Sequence, residues 1–151
     1  MQVACEVKQC EKDKNKGKGI FVTADVAQGT VIWAYNPKHH LEFKSREQLD
    51  KHLQSMKSKQ DQVELIEHCF VLSSDTVAFC KIKSDIACYM NHSEQPNVAN
   101  KSKADATVMC ALRDLKKGEE IVEDYREYHF VPWFEALWTD PKYKDLLWQG
   151  I

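Results

Sequence analysis

Tyr89-Met90-Asn91-His92-Ser93-Glu94-Gln95-Pro96-Asn97 sets asparagines, a histidine and a proline close together, which favours an irregular, hydrogen-bond-rich segment over a regular strand. Asn91-His92-Ser93 fits an N-glycosylation sequon formally, but the amino end has no apolar run before a cleavage-like site, which argues against secretion. Taken alone, the segment reads equally well as an ordinary polar loop. What stands on either side of it decides the matter.

Upstream lies Lys16-Gly17-Lys18-Gly19-Ile20-Phe21, a glycine pair just before a strand. Glycine permits positive φ and close approach of a ligand to the main chain. The pair lacks the third glycine of a dinucleotide fingerprint and the Ser or Thr of a phosphate loop, so by itself it is a tight turn. Downstream lies Leu115-Lys116-Lys117-Gly118-Glu119-Glu120-Ile121-Val122-Glu123-Asp124-Tyr125, a turn leading into a strand that ends on a tyrosine. Period-two geometry puts Ile121, Glu123 and Tyr125 on one face.

Segments rich in β-forming residues recur around 3–8, 19–23, 30–35, 69–72, 76–82, 107–113 and 119–125. One helix is predicted over 45–58, with Ser45 as cap and Leu49, Leu53 and Met56 at helical spacing; a second follows Pro132 and ends before Pro141. Strands do not alternate with helices, so the predicted class is β-rich α+β, built from several small, mainly antiparallel sheets. With 151 residues the expectation is a single domain over 1–151. The formal charge of −2 argues against a nucleic-acid-binding surface. Glu119, Glu120, Glu123, Asp124 and Glu127 crowd one stretch and could steer a basic partner, while Lys8, Lys12, Lys14, Lys16 and Lys18 crowd the amino end. The cysteines form no C-x-x-C pair and are expected to be reduced, in an intracellular protein of the cytoplasm or nucleus. No stretch is long and apolar enough to span a bilayer. His39, His40, His52 and His68 match no common metal-ligand spacing, so no metal is expected.

In this order and spacing, G-x-G, N-H-S-x-x-P-N and G-E-E-I-x-x-D-Y resemble the SET-domain family over residues 16–125, with 41–75 as a length-variable insert. The chain is most similar to compact, free-standing SET proteins of bacterial type. That resemblance implies a SET fold with a knot-like crossing and an S-adenosylmethionine-dependent protein-lysine methyltransferase, histones being among the candidate substrates. It also implies roles for particular residues. Gly17, Lys18 and Gly19 would present main chain to the donor, Asn91 would bond its amino-acid end, and His92 would lie on the adenine side and lock the crossing. Tyr125 would be the catalytic tyrosine, and Tyr35, Tyr89, Glu123 and Tyr128 would wall the lysine channel. The partner would be a lysine-bearing protein, such as one with a basic tail.

Two departures from the family pattern stand out. Glu123 occupies the position where eukaryotic members commonly carry Phe or Tyr, and a carboxylate there would favour the ammonium form of a substrate lysine. It points to solvent, or binds the substrate before deprotonation, or weakens the enzyme; a catalytically silent fold that binds the donor or a lysine peptide is therefore an alternative. No cysteine follows Cys110, so the zinc cluster that closes the channel in many members is not expected. Tyr128, Phe130, Trp133, Phe134 and Trp138, in the aromatic segment 126–151, would take its place, with Trp133 covering the adenine.

Overall fold

The computed structural model describes residues 1–10, 17–81, 85–102, 105–128 and 131–147. Lys12, Lys14, Lys16 and Phe130, named above, lie outside them. In chain order the elements are β1 (Cys5–Gln9), β2 (Lys18–Val22), β3 (Val31–Ala34), β4 (His40–Phe43), α1 (Arg46–Ser55), α2 (Lys59–Glu67), β5 (Cys69–Val71), β6 (Val77–Cys80), β7 (Asn91–His92), β8 (Val98–Ser102), β9 (Asp105–Ala111), β10 (Glu120–Glu123) and α3 (Pro132–Glu135). The chain is a β-rich α+β protein of small sheets.

Among the described residues three sheets form, in the orders β1-β2-β10-β7, β3-β9-β8 and β4-β6-β5. Pairings are antiparallel except that of β10 with β7, which sets Val122 beside Asn91 and Glu123 beside His92. β2 sits between β1 and β10, with Ile20 opposite both Val7 and Ile121. Two of the three sequence segments are thereby brought into one sheet with the third.

The apolar side chains divide into two clusters. Ile20, Val22, Ile32, Val98, Leu115 and Ile121 centre the first, under the β1-β2-β10-β7 and β3-β9-β8 sheets. Leu49, Leu53, Ile66, Val77, Leu137 and Tyr143 centre the second, which joins the insert to the carboxyl-terminal segment. Arg46 ties the two parts of that second cluster, bonding both Asp50 and Asp140.

The expected helix over 45–58 is α1, capped by Ser45 and ending at Ser55, and a second helix, α2, follows it. Met56 N–H bonds Leu53 C=O and closes α1, and Ser58 Oγ then accepts the Asp61 N–H at 3.3 Å to start α2. α2 escaped prediction because a single turn of polar residues, Lys59 to Gln62, precedes its buried Val63, Leu65 and Ile66. β8 was also missed: its Val-Ala-Asn-Lys-Ser sequence has little strand preference, and pairing with β9 holds it. The helix after Pro132 is one α turn that tightens into a 3-10 turn at Ala136–Thr139. Finally, the tyrosine strand stops at Glu123. Asp124 accepts the Arg126 N–H, and Tyr125 opens a 3-10 turn, so it does not continue the period of Ile121 and Glu123.

Candidate active site

Gly19 shows how closely the three segments meet. A methyl group on its Cα would collide with the Glu120 carboxylate and lie 3.0 Å from Asn91 Nδ2. Glycine is required there by the protein's own packing, whereas Gly17, at φ +67° with open space around it, is required by the turn. The Asn91 amide donates to Lys18 C=O at 3.0 Å and to Glu120 Oε1 at 2.7 Å, stapling β7 to β2 and β10.

Asn97 fixes the other end of the same segment. Its side chain donates to Glu120 C=O at 2.7 Å and accepts the Val122 N–H at 2.9 Å, while its own N–H reaches Val122 C=O at 3.0 Å. It is buried. This is the crossing: residues 91–97 clasp β10 just before Tyr125. His92 Nδ1 accepts the Tyr125 N–H at 3.2 Å, and the two rings lie 5.3 Å apart.

A cleft of about 1080 Å³ opens between the two apolar clusters, taking Trp33, Met90 and Met109 from the first and Val71 and Phe134 from the second. Of the residues marked from sequence, Lys18, Asn91, Tyr89, Glu123, Tyr125 and Tyr128 line it. Gly17, Gly19, His92, Trp133 and Tyr35 stand outside the lining. Tyr35 stacks 4.7 Å from His40 and donates to Glu42 at 2.6 Å. Trp133 packs against the insert core with its ring 5.9 Å from Phe134; Tyr128, Phe134 and Trp138 are the aromatic rings of this segment that line the cleft.

Tyr125 Oη donates to the Met90 carbonyl at 2.7 Å. Burial and the neighbouring Glu123 raise its ionisation well above the usual phenol range, so it acts as a neutral hydroxyl. Glu123 does not point to bulk solvent, which removes the first reading of it. Its Oε2 accepts the Tyr128 hydroxyl at 2.6 Å, and burial pushes its carboxyl up to about 7 against the pull of that hydrogen bond. Tyr128 is held neutral by burial first and by Glu123 second, and its ring lies 6.3 Å from Phe70. Two neutral phenols thus flank one carboxyl group in a mostly apolar wall.

The SET-domain signature matches residues 17–126. The chain belongs to the SET-domain family. Solved structures similar to this SET domain include Chaetomium thermophilum Polycomb Repressive Complex 2 bound to GSK126 (17% identity, TM-score 0.66, 93% of this chain and 18% of that one). Another is the same complex in an autoinhibited conformation bound to S-adenosylmethionine (17%, 0.64, 90% and 16%). A Plasmodium falciparum candidate histone methyltransferase matches at 14% identity and TM-score 0.50, over 83% of this chain and 95% of that one. At these identities the likeness is one of fold, and the SET domain spans less than a fifth of the Polycomb chains it matches. No curated protein is significantly similar to it in sequence.

Several contributors to the site were part of the quoted motifs or of the backbone and were not singled out from the sequence. Glu120 accepts from the Asn91 side chain, Asn97 bonds main chain, and the Met90 carbonyl is backbone. Asn97 could have been singled out as the asparagine after a proline that closes the polar segment.

Proposed function

We propose that the chain is an S-adenosylmethionine-dependent protein-lysine N-methyltransferase. The observation that carries this reading is one cleft walled both by Lys18 and Asn91 and by a neutral Tyr125 whose hydroxyl is fixed on a backbone carbonyl. Lys18 main chain and the Asn91 side chain would hold the amino-acid end of the donor, with Phe134 and Trp138 as flat apolar surface for its nucleoside. The size of the cleft leaves room for a substrate side chain beside it. S-adenosylmethionine supplies a methyl group on a sulfonium, open to in-line displacement by an amine.

The protein's part is alignment and proton handling. Tyr125 Oη, anchored by Met90 C=O, orients the incoming amine without ionising. A substrate lysine enters as ammonium and must lose a proton. Release to solvent at neutral pH costs about 4.6 kcal/mol for an amine titrating near 10.4. Glu123, titrating at about 7, takes that proton at about the same cost, whereas an ordinary carboxylate near 4.3 would raise it to roughly 8 kcal/mol. Glu123 thus offers the ammonium a binding partner and its proton a local acceptor that is no costlier than solvent. The acidic stretch around it favours a basic protein segment as substrate.

The test is transfer of labelled methyl from S-adenosylmethionine to a mixture of basic proteins. Tyr125→Phe is expected to lower transfer by about 100-fold or more with donor affinity nearly unchanged, because it removes an orienting hydroxyl and no donor contact. Asn91→Ala is expected to weaken donor binding itself. Donor bound tightly with no transfer to any protein would overturn the enzymatic reading.

A further inference from the structure

His40 holds a ring nitrogen in the interior without a full hydrogen bond. Its Nδ1 lies 2.9 Å from the Asn36 carbonyl, which can only accept, so Nδ1 bears the proton and Nε2 presents a lone pair. The imidazole is 4% exposed, and its Nε2 makes no hydrogen bond of full geometry; the polar side chain set against the ring is the Cys80 thiol. A buried polar atom in that state calls for a reason. Its surroundings supply one: Cys80 and Asp85 are also buried, and one donor atom from each of the three residues lies within 4.8 Å of the others. The Cys88 thiol sits against that of Cys80, and both lean on the Asp85 carbonyl at 3.4 and 3.3 Å.

The Asp85 carboxylate is oriented from outside the cluster. Trp33 Nε1 donates to Oδ2 at 2.7 Å and the Ala87 N–H to Oδ1 at 3.0 Å, with the Met1 amine 3.7 Å from Oδ1. The Nδ1–Asn36 bond does the same for His40. A fixed tautomer and an anchored carboxylate are what a ligand sphere needs behind it. Sulfur and imidazole donors select a borderline-soft cation; magnesium and calcium prefer all-oxygen shells. Tetrahedral zinc, with bonds of about 2.0 to 2.3 Å, spaces its donor atoms by about 3.5 Å, so the cluster closes on the ion by a small contraction.

We propose that His40 Nε2, Cys80 Sγ and an Asp85 carboxylate oxygen bind a zinc ion, with Cys88 Sγ as the fourth donor. Each thiol that ligates gives its proton to solvent as the Zn–S bond forms. His40, Cys80 and Cys88 line the same cleft as Lys18, Asn91 and Tyr125, and the proposed ligand set includes none of those three residues. It joins β4 and β6 of the insert sheet to the 3-10 turn Ile86–Tyr89, which leads directly into Met90 and Asn91. Zinc there would hold the insert at a fixed distance from the donor-binding segment, a role for the ion distinct from closing the channel at the carboxyl end. No residue pattern announced it, since His40 stands forty residues from Cys80 and joins it only through the β4–β6 pairing, where the two are register partners.

The full chain, kept reduced with a phosphine and stripped by a chelator, is titrated with Co²⁺ and then Zn²⁺. One equivalent of Co²⁺ should produce thiolate-to-cobalt charge transfer with the strong d–d bands of a tetrahedral site, displaced by Zn²⁺. Cys80→Ser and His40→Gln should each weaken binding by about 100-fold or more, and Cys88→Ser should lose about half the charge-transfer intensity, one thiolate of two. Cys110→Ser is the control and should leave the spectrum unchanged. Should Cys80→Ser or His40→Gln fail to fold, the half-buried Cys88 carries the comparison. Absence of thiolate absorption in the wild-type chain, or a spectrum indifferent to both thiol substitutions, overturns the proposal. Neither readout depends on methyl transfer.

Discussion

Glu123 is the residue whose chemistry reaches furthest. Its carboxyl titrates at about 7 in the folded chain because burial disfavours the charge, and near 4.3 when unfolded. The folded state therefore binds this proton more tightly, and the contribution of Glu123 to stability is complete below about pH 4.3 and is lost as pH rises through about 7, by roughly 3–4 kcal/mol. Glu123→Gln keeps an acceptor for the Tyr128 hydroxyl and removes the titration. Urea unfolding should find the two proteins similar near about pH 4.5 and the variant more stable near about pH 8; equal stability at both would show that Glu123 is solvated. If the residue is also the proton acceptor, the variant should lose methyl transfer most strongly on the alkaline side, where the wild-type carboxylate is ionised. At this scale the sequence identified the residue and left its direction open. Whether Glu123 faced solvent depended on Tyr128 and Phe70, and no spacing rule connects these to it. Trp133 and Trp138 illustrate the same limit: the single α turn tightens into 3-10 between them, so one helical period cannot say which ring meets the cleft.

Among the elements, β2 and β10 were legible as strands, whereas the segment of β7 read as irregular and its two residues are strand only through pairing with β10. Gly19→Ala tests the pairing directly. The added methyl meets the Glu120 carboxylate and the Asn91 amide, so the variant should lose roughly 1–3 kcal/mol of stability and bind donor more weakly, read by thermal unfolding and titration. Asn97→Ala should cost more, about 2–4 kcal/mol, because it strands the Val122 N–H and the Glu120 carbonyl inside the crossing. An effect below about 0.5 kcal/mol would mean that water replaces the side chain. β4, β8 and α2 were not legible. β4 is four residues long behind Pro37, β8 is polar, and α2 opens on a polar turn; tertiary contacts hold each of them.

For the molecule as a whole, the cleft lies between two cores, and the carboxyl-terminal segment belongs structurally to the insert. Val131, Phe134, Leu137, Tyr143 and Leu147 are buried there with Leu49, Leu53 and Ile66. Ending the chain after Glu127 should therefore loosen the insert as well as abolish donor binding, visible as lost amide-exchange protection in α1 and α2. Leu137→Ala, which keeps the chain length, should cost about 2–5 kcal/mol and protect the first core from exchange better than the second; uniform loss across both would show one cooperative unit. The central sheet has a consequence in time. Ile20 waits for Ile121, about a hundred residues later in the chain. At roughly 5–20 residues per second of synthesis, its second neighbour arrives about 5–20 seconds after it. Throughout that interval β2 has β1 on one side and an open hydrogen-bonding edge on the other, a template for wrong pairing that closes only when β10 is made.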